Sequence, residues 1–361
     1  MSIKFMLNKE REVITSENIE DFNKYKEEHK EIKIIGTHSG TFHSDEVLST
    51  LLLKYYPNFQ KSIIIRTRNN DILKKCDIVV DVGNIIDPKT FRFDHHMKDF
   101  SEIFDEKDEE LNKIKLSSAG LVWKYLGKEI LINILKSINL FNKNENHLEK
   151  IHKKIYIDFI MGVDAIDNGI NQYNKDIKPK YNLAGDFNSR ISRLNPEWNM
   201  ENVDVNERFK KAWDVAEEEF FYHIKNYATS YFIVYDIVLN SIKEAISKNK
   251  LYFILDYNCP WKKCIYDVEK ELGIKDKMLY CIQPGSHLRW TSTAINQNEN
   301  CMELRKPFPK EWRAKSDLEL QKITGINDAI FVHISGFASF WKHKKSAIEA
   351  TEISIKNMDE I

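Results

Sequence analysis

The side chains best suited to chemistry in this chain are histidines and carboxylates from four separate segments. These side chains are His38, His43, Asp45, Asp81, Asp94, His95, His96, Asp164 and Asp167. A hydrolase with two divalent cations needs such a set, because two ions about 3.5–4 Å apart require several negative ligands. The mixture of imidazole and carboxylate favours manganese-like ions. We therefore predict a metal-dependent phosphoesterase.

The segment 36–46 carries three of these groups in a turn between a predicted strand and a predicted helix. A turn can bring together side chains that a straight helix or strand would separate. The alternative is an ordinary helix N-terminus. There, the negative charges of Asp45 and Glu46 would interact favourably with the helix dipole, and the histidines would be surface groups. Asp81 ends an apolar run, so it is either a loop carboxylate or a bridge between two cations.

The segment 94–96 is predicted to be extended, and neighbouring side chains on an extended segment point to opposite faces. One imidazole can therefore bind metal while the other faces the substrate, and Asp94 can fix an imidazole tautomer. The alternative is a solvated loop. Asp164 and Asp167 are three residues apart and share a helix face. Acidic side chains at a helix C-terminus interact unfavourably with the helix dipole, and metal binding would explain their presence.

The elements that must position these groups are predicted to form an α/β fold. Apolar runs predict strands at 32–36, 62–67, 76–83 and 91–96. Because helical patterns alternate with these runs, we expect a mostly parallel sheet flanked by helices, with functional groups at the carboxyl ends of the strands. We expect this N-terminal domain at 30–205, a helical connector at 206–250 and a smaller C-terminal α/β domain at 251–361.

Composition excludes few functions. The 361 residues carry a net charge of -1, which gives no global attraction to nucleic acid or membrane. No apolar run is long enough to cross a bilayer. The five scattered cysteines and the absence of a secretory segment predict an intracellular protein. Because the first 20 residues are rich in acids, mitochondrial import is not expected, which leaves the cytoplasm or the nucleus.

Eight motifs, taken in order, resemble those of the DHH phosphoesterase superfamily and, more narrowly, of the MYG1 (UPF0160) family. They are GTHSGTFHSDE, DVGNIIDP, FRFDHHMKDF, LSSAGLVWKYLG, VDAIDNGI, NSRISRLNP, EWR and FVHISGF. The resemblance implies a metal centre in a DHH-like N-terminal domain, with a substrate-binding C-terminal domain. The metal ligands that it implies are His38, His43, Asp45, Asp81, His95 and Asp164, and the choice between Asp164 and Asp167 stays open.

The resemblance also implies an activity, namely 3′-to-5′ trimming of single-stranded RNA with two divalent cations, Mn²⁺ or alternatively Mg²⁺. His96 would face the scissile phosphate, Asp94 would support it, and Arg190 would stabilise phosphoryl charge. The predicted substrate-binding residues are Arg193, Arg313, His333 and Gly336. His43 stands where superfamily nucleases often have an aspartate, and Gly336 stands alone where relatives have several glycines.

Two other functions remain open. One is hydrolysis of a small phosphate compound such as pyrophosphate, a dinucleotide or a short oligonucleotide. The other is a non-catalytic metal-binding scaffold. The expected partner is single-stranded RNA or a short nucleotide, without a membrane. The oligomeric state stays open, a homodimer being one possibility.

Overall fold

The structure is a computed structural model that describes residues 11–109, 111, 113–140, 145–174, 176–178, 180–181, 184–286, 289–299 and 301–357. The chain divides into two compact units, the first ending at Ala228 and the second beginning at Thr229. This boundary lies within the segment 206–250. The assignment of catalysis to one unit and of substrate binding to the other stays a prediction.

The first unit contains a six-stranded sheet. Its strands are β1 Val13–Thr15, β2 Ile34–Thr37, β3 Ile63–Arg66, β4 Ile78–Val80, β5 Ile86–Asp87 and β6 Arg92–Phe93. The order is β1-β3-β2-β4-β6-β5, and only the β5–β6 pair is antiparallel. All residues of β2, β3 and β4 are buried, as expected for parallel strands covered on both faces. The prediction of a mostly parallel sheet flanked by helices is confirmed.

Helices cover this sheet. They are α1 Ile19–Glu28, α2 Ser44–Leu53, α3 Asn70–Leu73, α4 Ser118–Ser137, α5 Glu145–Ile155, α6 Met161–Asp167, α7 Phe187–Ser192 and α8 Val205–Asn226, with a π-helical segment Tyr156–Ile160 between α5 and α6. All ten residues of α2 are buried. The Glu46 carboxylate accepts the His43 N–H at 2.8 Å and closes the first turn of α2. Helix α2 therefore begins just beyond the carboxyl end of β2, with its acids at that edge of the sheet.

In its described residues, the second unit contains a five-stranded sheet and four α-helices. They are α9 Phe232–Ser247, β7 Tyr252–Ile254, α10 Ile265–Leu272, β8 Tyr280–Pro284, β9 Trp290–Ala294, α11 Asp317–Thr324, β10 Ala329–Val332, β11 Ala338–Trp341 and α12 Lys344–Lys356. The order is β10-β11-β9-β8-β7, in which only β7 and β8 are parallel. The core of this unit includes Tyr280, Ile282 and Trp341 from the sheet and Ala347 from α12. The smaller C-terminal α/β unit is therefore mostly antiparallel.

Within the parts of the chain that the structure describes, every helix is too short or too polar to cross a bilayer.

Candidate metal centre

The carboxyl edge of the first sheet gathers the predicted chemical groups. His38 follows β2, Asp81 follows β4, and the segment 94–96 follows β6. Helix α2 brings Asp45 in its first turn, and α6 ends on Asp167. Strand ends of a parallel sheet meet at one edge, so segments that are far apart in sequence converge there.

Asp81 lies at the centre of this cluster. Its Oδ2 is 3.3 Å from His38 Nε2, and its Oδ1 is 3.3 Å from His95 Nε2 and 3.5 Å from His96 Nδ1. Its φ of 59° is in the left-handed region, which few non-glycine residues adopt. Burial raises the pKa of Asp81, but hydrogen bonds from His38 and His95 outweigh it and hold that pKa below its usual range. Asp81 is therefore an ionised carboxylate that faces two sets of ligands.

Asp45 is fully buried, and neither of its carboxylate oxygens has a hydrogen-bond partner among the described residues. Ligand atoms of Asp45, Glu46 and Asp81 lie within 4.8 Å of one another, and so do those of Asp45, His95 and Asp167. Burial, and then repulsion by Asp81, Asp167 and Glu46, raises the pKa of Asp45 well above its usual value. Since buried carboxylates normally have partners, this orphaned group fits a cation as its missing partner.

His38 belongs to a ligand group with His43 and Glu46, whose ligand atoms also lie within 4.8 Å of one another. His38 Nε2 is 3.1 Å from Glu46 Oε1, while an Arg68 guanidinium nitrogen lies 3.3 Å from His38 Nδ1. Burial lowers the pKa of His38, but hydrogen bonds to Asp81 and Glu46 raise it to about 10. His43 is exposed, with its ring centroid 6.0 Å from that of His38.

His95 lies on the other side of Asp81. Its Nε2 is 3.0 Å from Asp167 Oδ2 and 3.9 Å from Asp45 Oδ2. Burial lowers the pKa of His95, whereas hydrogen bonds to Asp167 and Asp81 raise it to about 10. The carboxylates of the cluster thus favour the protonated form of His38 on one side of Asp81 and of His95 on the other. Carboxylate and imidazole together suit manganese-like divalent ions.

His96 is held by Asp94 and exposed to a cleft. Its Nδ1 is 2.8 Å from Asp94 Oδ1, and 57% of its side chain is exposed. Buried Asp94 also accepts the backbone N–H groups of Asn84 and His95. The hydrogen bond to Asp94 is the main cause that raises the pKa of His96. Asp94 therefore orients the His96 ring, which leaves Nε2 for a substrate.

Asp164 does not lie in the cluster. It accepts the N–H and hydroxyl of Ser117 at 3.0 and 2.7 Å, the Gly120 N–H at 3.1 Å and the Tyr156 hydroxyl at 3.0 Å. Burial raises the pKa of Asp164 to about 7, although these hydrogen bonds lower it. Both carboxylate oxygens of Asp164 therefore have hydrogen-bond partners, most of which lie at the N-terminus of α4. The expectation that Asp164 binds metal is therefore corrected, and Asp167 is the acid of this pair that lies in the cluster.

Glu46 was missing from the ligand set expected from sequence, and Asp167 stood there only as the alternative to Asp164. Glu46 looked like a helix-dipole residue, and it does fill that role through the His43 N–H. The signal for Asp167 was its spacing of three residues from Asp164, which puts both acids on one helix face. The structure separates them, because Asp164 turns to α4 and Asp167 to His95.

Arg190, in α7, and Arg193, at the C-terminal end of α7, contact different parts of the protein. Arg193 lines the cleft and donates to the Ala184 carbonyl at 2.6 Å. Arg190 instead forms an ion pair with Glu219 of α8 at 3.2 Å and does not line that cleft. The expectation that Arg190 stabilises phosphoryl charge is therefore corrected, since its charge is already paired on another side of the helix.

The predicted residues Arg313, His333 and Gly336 lie in the second unit. Gly336 has φ of 71°, and a Cβ there would lie 2.8 Å from Arg313 Nε and 3.1 Å from Pro307 Cβ. Close packing and the positive φ therefore explain why this position is a glycine. His333 Nδ1 lies 3.0 Å from the Ser335 hydroxyl. The substrate-binding role of these residues stays a prediction.

The cluster opens into a cleft of the first unit with a volume of about 1270 Å³. Cationic side chains also line this cleft: Arg68, Lys98, Lys115 and Arg193. The carboxylates and imidazoles of this cleft could hold metal ions, and its cations could hold phosphate groups. Such a site can perform metal-assisted hydrolysis of a phosphate ester.

The chain is similar to known proteins over most of its length. The MYG1 exonuclease family model, described as uncharacterised protein family UPF0160, matches residues 34–355. The MYG1 protein of Dictyostelium discoideum is 36% identical over 87% of this chain and 94% of its own length. The MYG1 exonucleases of Mus musculus and Homo sapiens are 33% and 32% identical, over 89% of this chain and 84% and 85% of theirs.

A crystal structure of an exopolyphosphatase-related protein from Bacteroides fragilis is also similar, covering 93% of this chain and 95% of its own. It is 11% identical to this chain, with a TM-score of 0.21. The match of the family model over most of the chain and the identity with relatives of similar length show that this chain belongs to the MYG1 (UPF0160) family.

Proposed function

We propose that this chain is a metal-dependent phosphodiesterase that shortens single-stranded RNA from its 3′ end with two divalent cations, Mn²⁺ or Mg²⁺. The observation that carries the proposal is Asp45, a fully buried carboxylate beside three other acids that has no hydrogen-bond partner in the described parts of the chain. Such a group is costly in a protein interior unless a cation neutralises it.

The division of the ligands supports two ions rather than one. Four ligand groups overlap in the cluster, and two of them share no residue: His38, His43 and Glu46 form one, and Asp45, His95 and Asp167 form the other. Asp81 lies between them, with one carboxylate oxygen near His38 and the other near His95. A carboxylate that faces two ligand groups is the expected bridge in a two-metal site.

Divalent cations bound there would lower the pKa of a water molecule and polarise the phosphoryl group. The chain itself positions the substrate. His96, held through Nδ1 by Asp94, offers Nε2 as a hydrogen-bond donor to a phosphoryl oxygen. Arg193 and Arg68 line the same cleft and can hold further phosphate oxygens. The role of Asp94 is to position His96 through its contact with Nδ1.

The choice of an RNA substrate rests on the mammalian relatives that are named exonucleases and on the resemblance described above. The cleft volume of about 1270 Å³ is larger than a pyrophosphate requires. Because the net charge is only -1, affinity for a polynucleotide has to come from local cations such as those of the cleft. Binding should therefore weaken steeply with salt.

The test is cleavage of a 5′-labelled single-stranded RNA of 20 nucleotides with Mn²⁺, with Mg²⁺ and with EDTA. Wild type should give a ladder that shortens from the 3′ end with either metal. Asp81→Asn should abolish the ladder, whereas the exposed control Asp71→Asn should keep it.

Undiminished cleavage by Asp81→Asn, or no cleavage by wild type with either metal, would contradict the proposal. Hydrolysis of pyrophosphate or dinucleotides without shortening of RNA would instead identify a small-molecule phosphohydrolase.

A further inference from the structure

A pair of aromatic rings lies on the second unit in two neighbouring strands. Phe331 of β10 is the register partner of Phe340 of β11. Their ring centroids are 6.1 Å apart and their planes differ by 16°, so the rings are stacked. Both side chains are half-buried.

These rings lie on the sheet face opposite the core. Val332 and Trp341, the chain neighbours of Phe331 and Phe340, are fully buried members of the core that includes Ala347 of α12. Successive side chains in a strand point to opposite faces, so both phenylalanines point away from this core. They are not members of it. Packing of the core therefore does not explain why two large aromatic side chains lie on this face of the sheet.

The pair continues into a longer stripe. The His333 ring centroid is 6.4 Å from that of Phe331 and 4.5 Å from that of Phe337. The guanidinium carbon of Arg289 lies 4.5 Å from the Phe340 ring centroid. At the other end, Lys262 Nζ is 5.7 Å from the Phe337 centroid. We define the aromatic stripe as Phe331, His333, Phe337 and Phe340, with one cation at each end.

Both cations keep their charge available. Among the described residues, neither Arg289 nor Lys262 forms an ion pair with a carboxylate. A guanidinium nitrogen of Arg289 donates to the Ser286 hydroxyl at 3.3 Å, and no described residue is a hydrogen-bond partner of the buried Arg289 Nε. The stripe thus combines apolar rings with uncompensated positive charge.

We infer that the aromatic stripe stacks the bases of a single-stranded nucleic acid while Arg289 and Lys262 neutralise its phosphates. Base stacking on exposed aromatic rings of a sheet, next to cations, is a recurrent way in which proteins hold unpaired strands. A purely apolar partner would gain nothing from the two cations. The inference rests on the proposed function, because it supplies a second contact for the same kind of substrate.

The test measures binding of a fluorescein-labelled 12-nucleotide oligouridine by anisotropy, in EDTA, with the full chain. The variants are Phe331→Leu/Phe340→Leu, the conservative Phe340→Tyr and the control Tyr257→Leu, an exposed aromatic residue of the same unit. Losing a stacking ring weakens binding by about fivefold to a hundredfold per base, so the double variant should bind at least about tenfold more weakly. Phe340→Tyr and Tyr257→Leu should bind as wild type does.

A strand of equal length without bases isolates stacking from charge. Wild type should prefer the oligouridine to the abasic strand, and the double variant should lose that preference. Thermal melting confirms that each variant is folded, and the single variant Phe340→Leu, with a smaller loss, replaces the double variant if that one unfolds. Equal binding of oligouridine by wild type and the folded leucine variant would overturn the inference.

Mn²⁺-dependent cleavage of the same oligouridine separates this inference from the proposed function. If wild type cleaves but the leucine variants bind normally, the stripe has another partner, such as a protein, and the function stands. If the variants bind weakly while wild type never cleaves, the stripe is supported and the function fails. If wild type neither binds nor cleaves, both fail.

Discussion

Replacing Asp45 by asparagine should make the metal-free protein more stable and the enzyme inactive. Asp45 is buried within 4.8 Å of other ionisable ligands, and its raised pKa shows that its charge is unfavourable there. Two like charges at 4.8 Å repel by about 3.5 kcal/mol at an effective dielectric constant of about 20. Attraction to His95 and partial protonation offset much of this repulsion. We therefore expect Asp45→Asn to stabilise the metal-free protein by about 1–3 kcal/mol.

Thermal unfolding in EDTA and in saturating Mn²⁺ measures this effect. Since 1 kcal/mol corresponds to about 2–4 °C for 150–250 residues, the midpoint of Asp45→Asn in EDTA should rise by roughly 2–12 °C. Wild type should gain about 2.7 kcal/mol from Mn²⁺ at a hundredfold excess over its dissociation constant. The variant should gain much less, because it lacks a ligand.

The matched control is Asp164→Asn, which changes another fully buried aspartate. Asp164 accepts four hydrogen bonds, so its replacement should destabilise the protein by about 1–3 kcal/mol with or without metal. A lower midpoint for Asp45→Asn in EDTA, together with an unchanged gain from Mn²⁺, would refute the cation site at Asp45.

Three further predictions concern other parts of the first unit. Burial lowers the pKa of His152 to about 4, below the ordinary value near 6.5, so stability is lost as pH falls from 6.5 towards 4. Between pH 7.5 and 5.5, wild type should therefore lose about 1.3 kcal/mol more than His152→Gln in urea unfolding with EDTA, and equal losses would contradict this. Gly120→Ala would put a Cβ 2.7 Å from the fixed Asp164 Cγ, so its unfolding free energy should fall by about 3 kcal/mol or more; an unchanged urea midpoint would exclude that crowding. Arg193→Gln should raise KM for RNA about fivefold at low salt, whereas Arg190→Gln should leave it unchanged, and the reverse order would restore Arg190 to the site.

The first sheet was predictable from the sequence because its buried strands are runs of isoleucine and valine, several of which are followed by a histidine or a carboxylate. Strands β1 and β5 have only three and two residues and were not predicted. Strand β11 was also missed, because its four residues run directly into the lysine-rich segment 342–345. Its pairing with β9 is a tertiary property that its own composition does not reveal.

The cluster was predictable where a strand end fixed the position of a side chain. Asp81 and His38 follow strands directly, His95 comes two residues after a strand, and the sheet brings the three together. The choice between Asp164 and Asp167 depended on neighbours that are distant in sequence. Asp164 meets the N–H groups at the start of α4, which no local pattern near residue 164 indicates.

The most direct test of the metal centre is the number of Mn²⁺ ions bound per chain, measured by equilibrium dialysis and elemental analysis. We predict two ions for wild type and for Asp71→Asn, and at most one for Asp81→Asn, because Asp81 faces both ligand groups. Absence of bound Mn²⁺ in wild type, or two ions in Asp81→Asn, would contradict the two-metal centre.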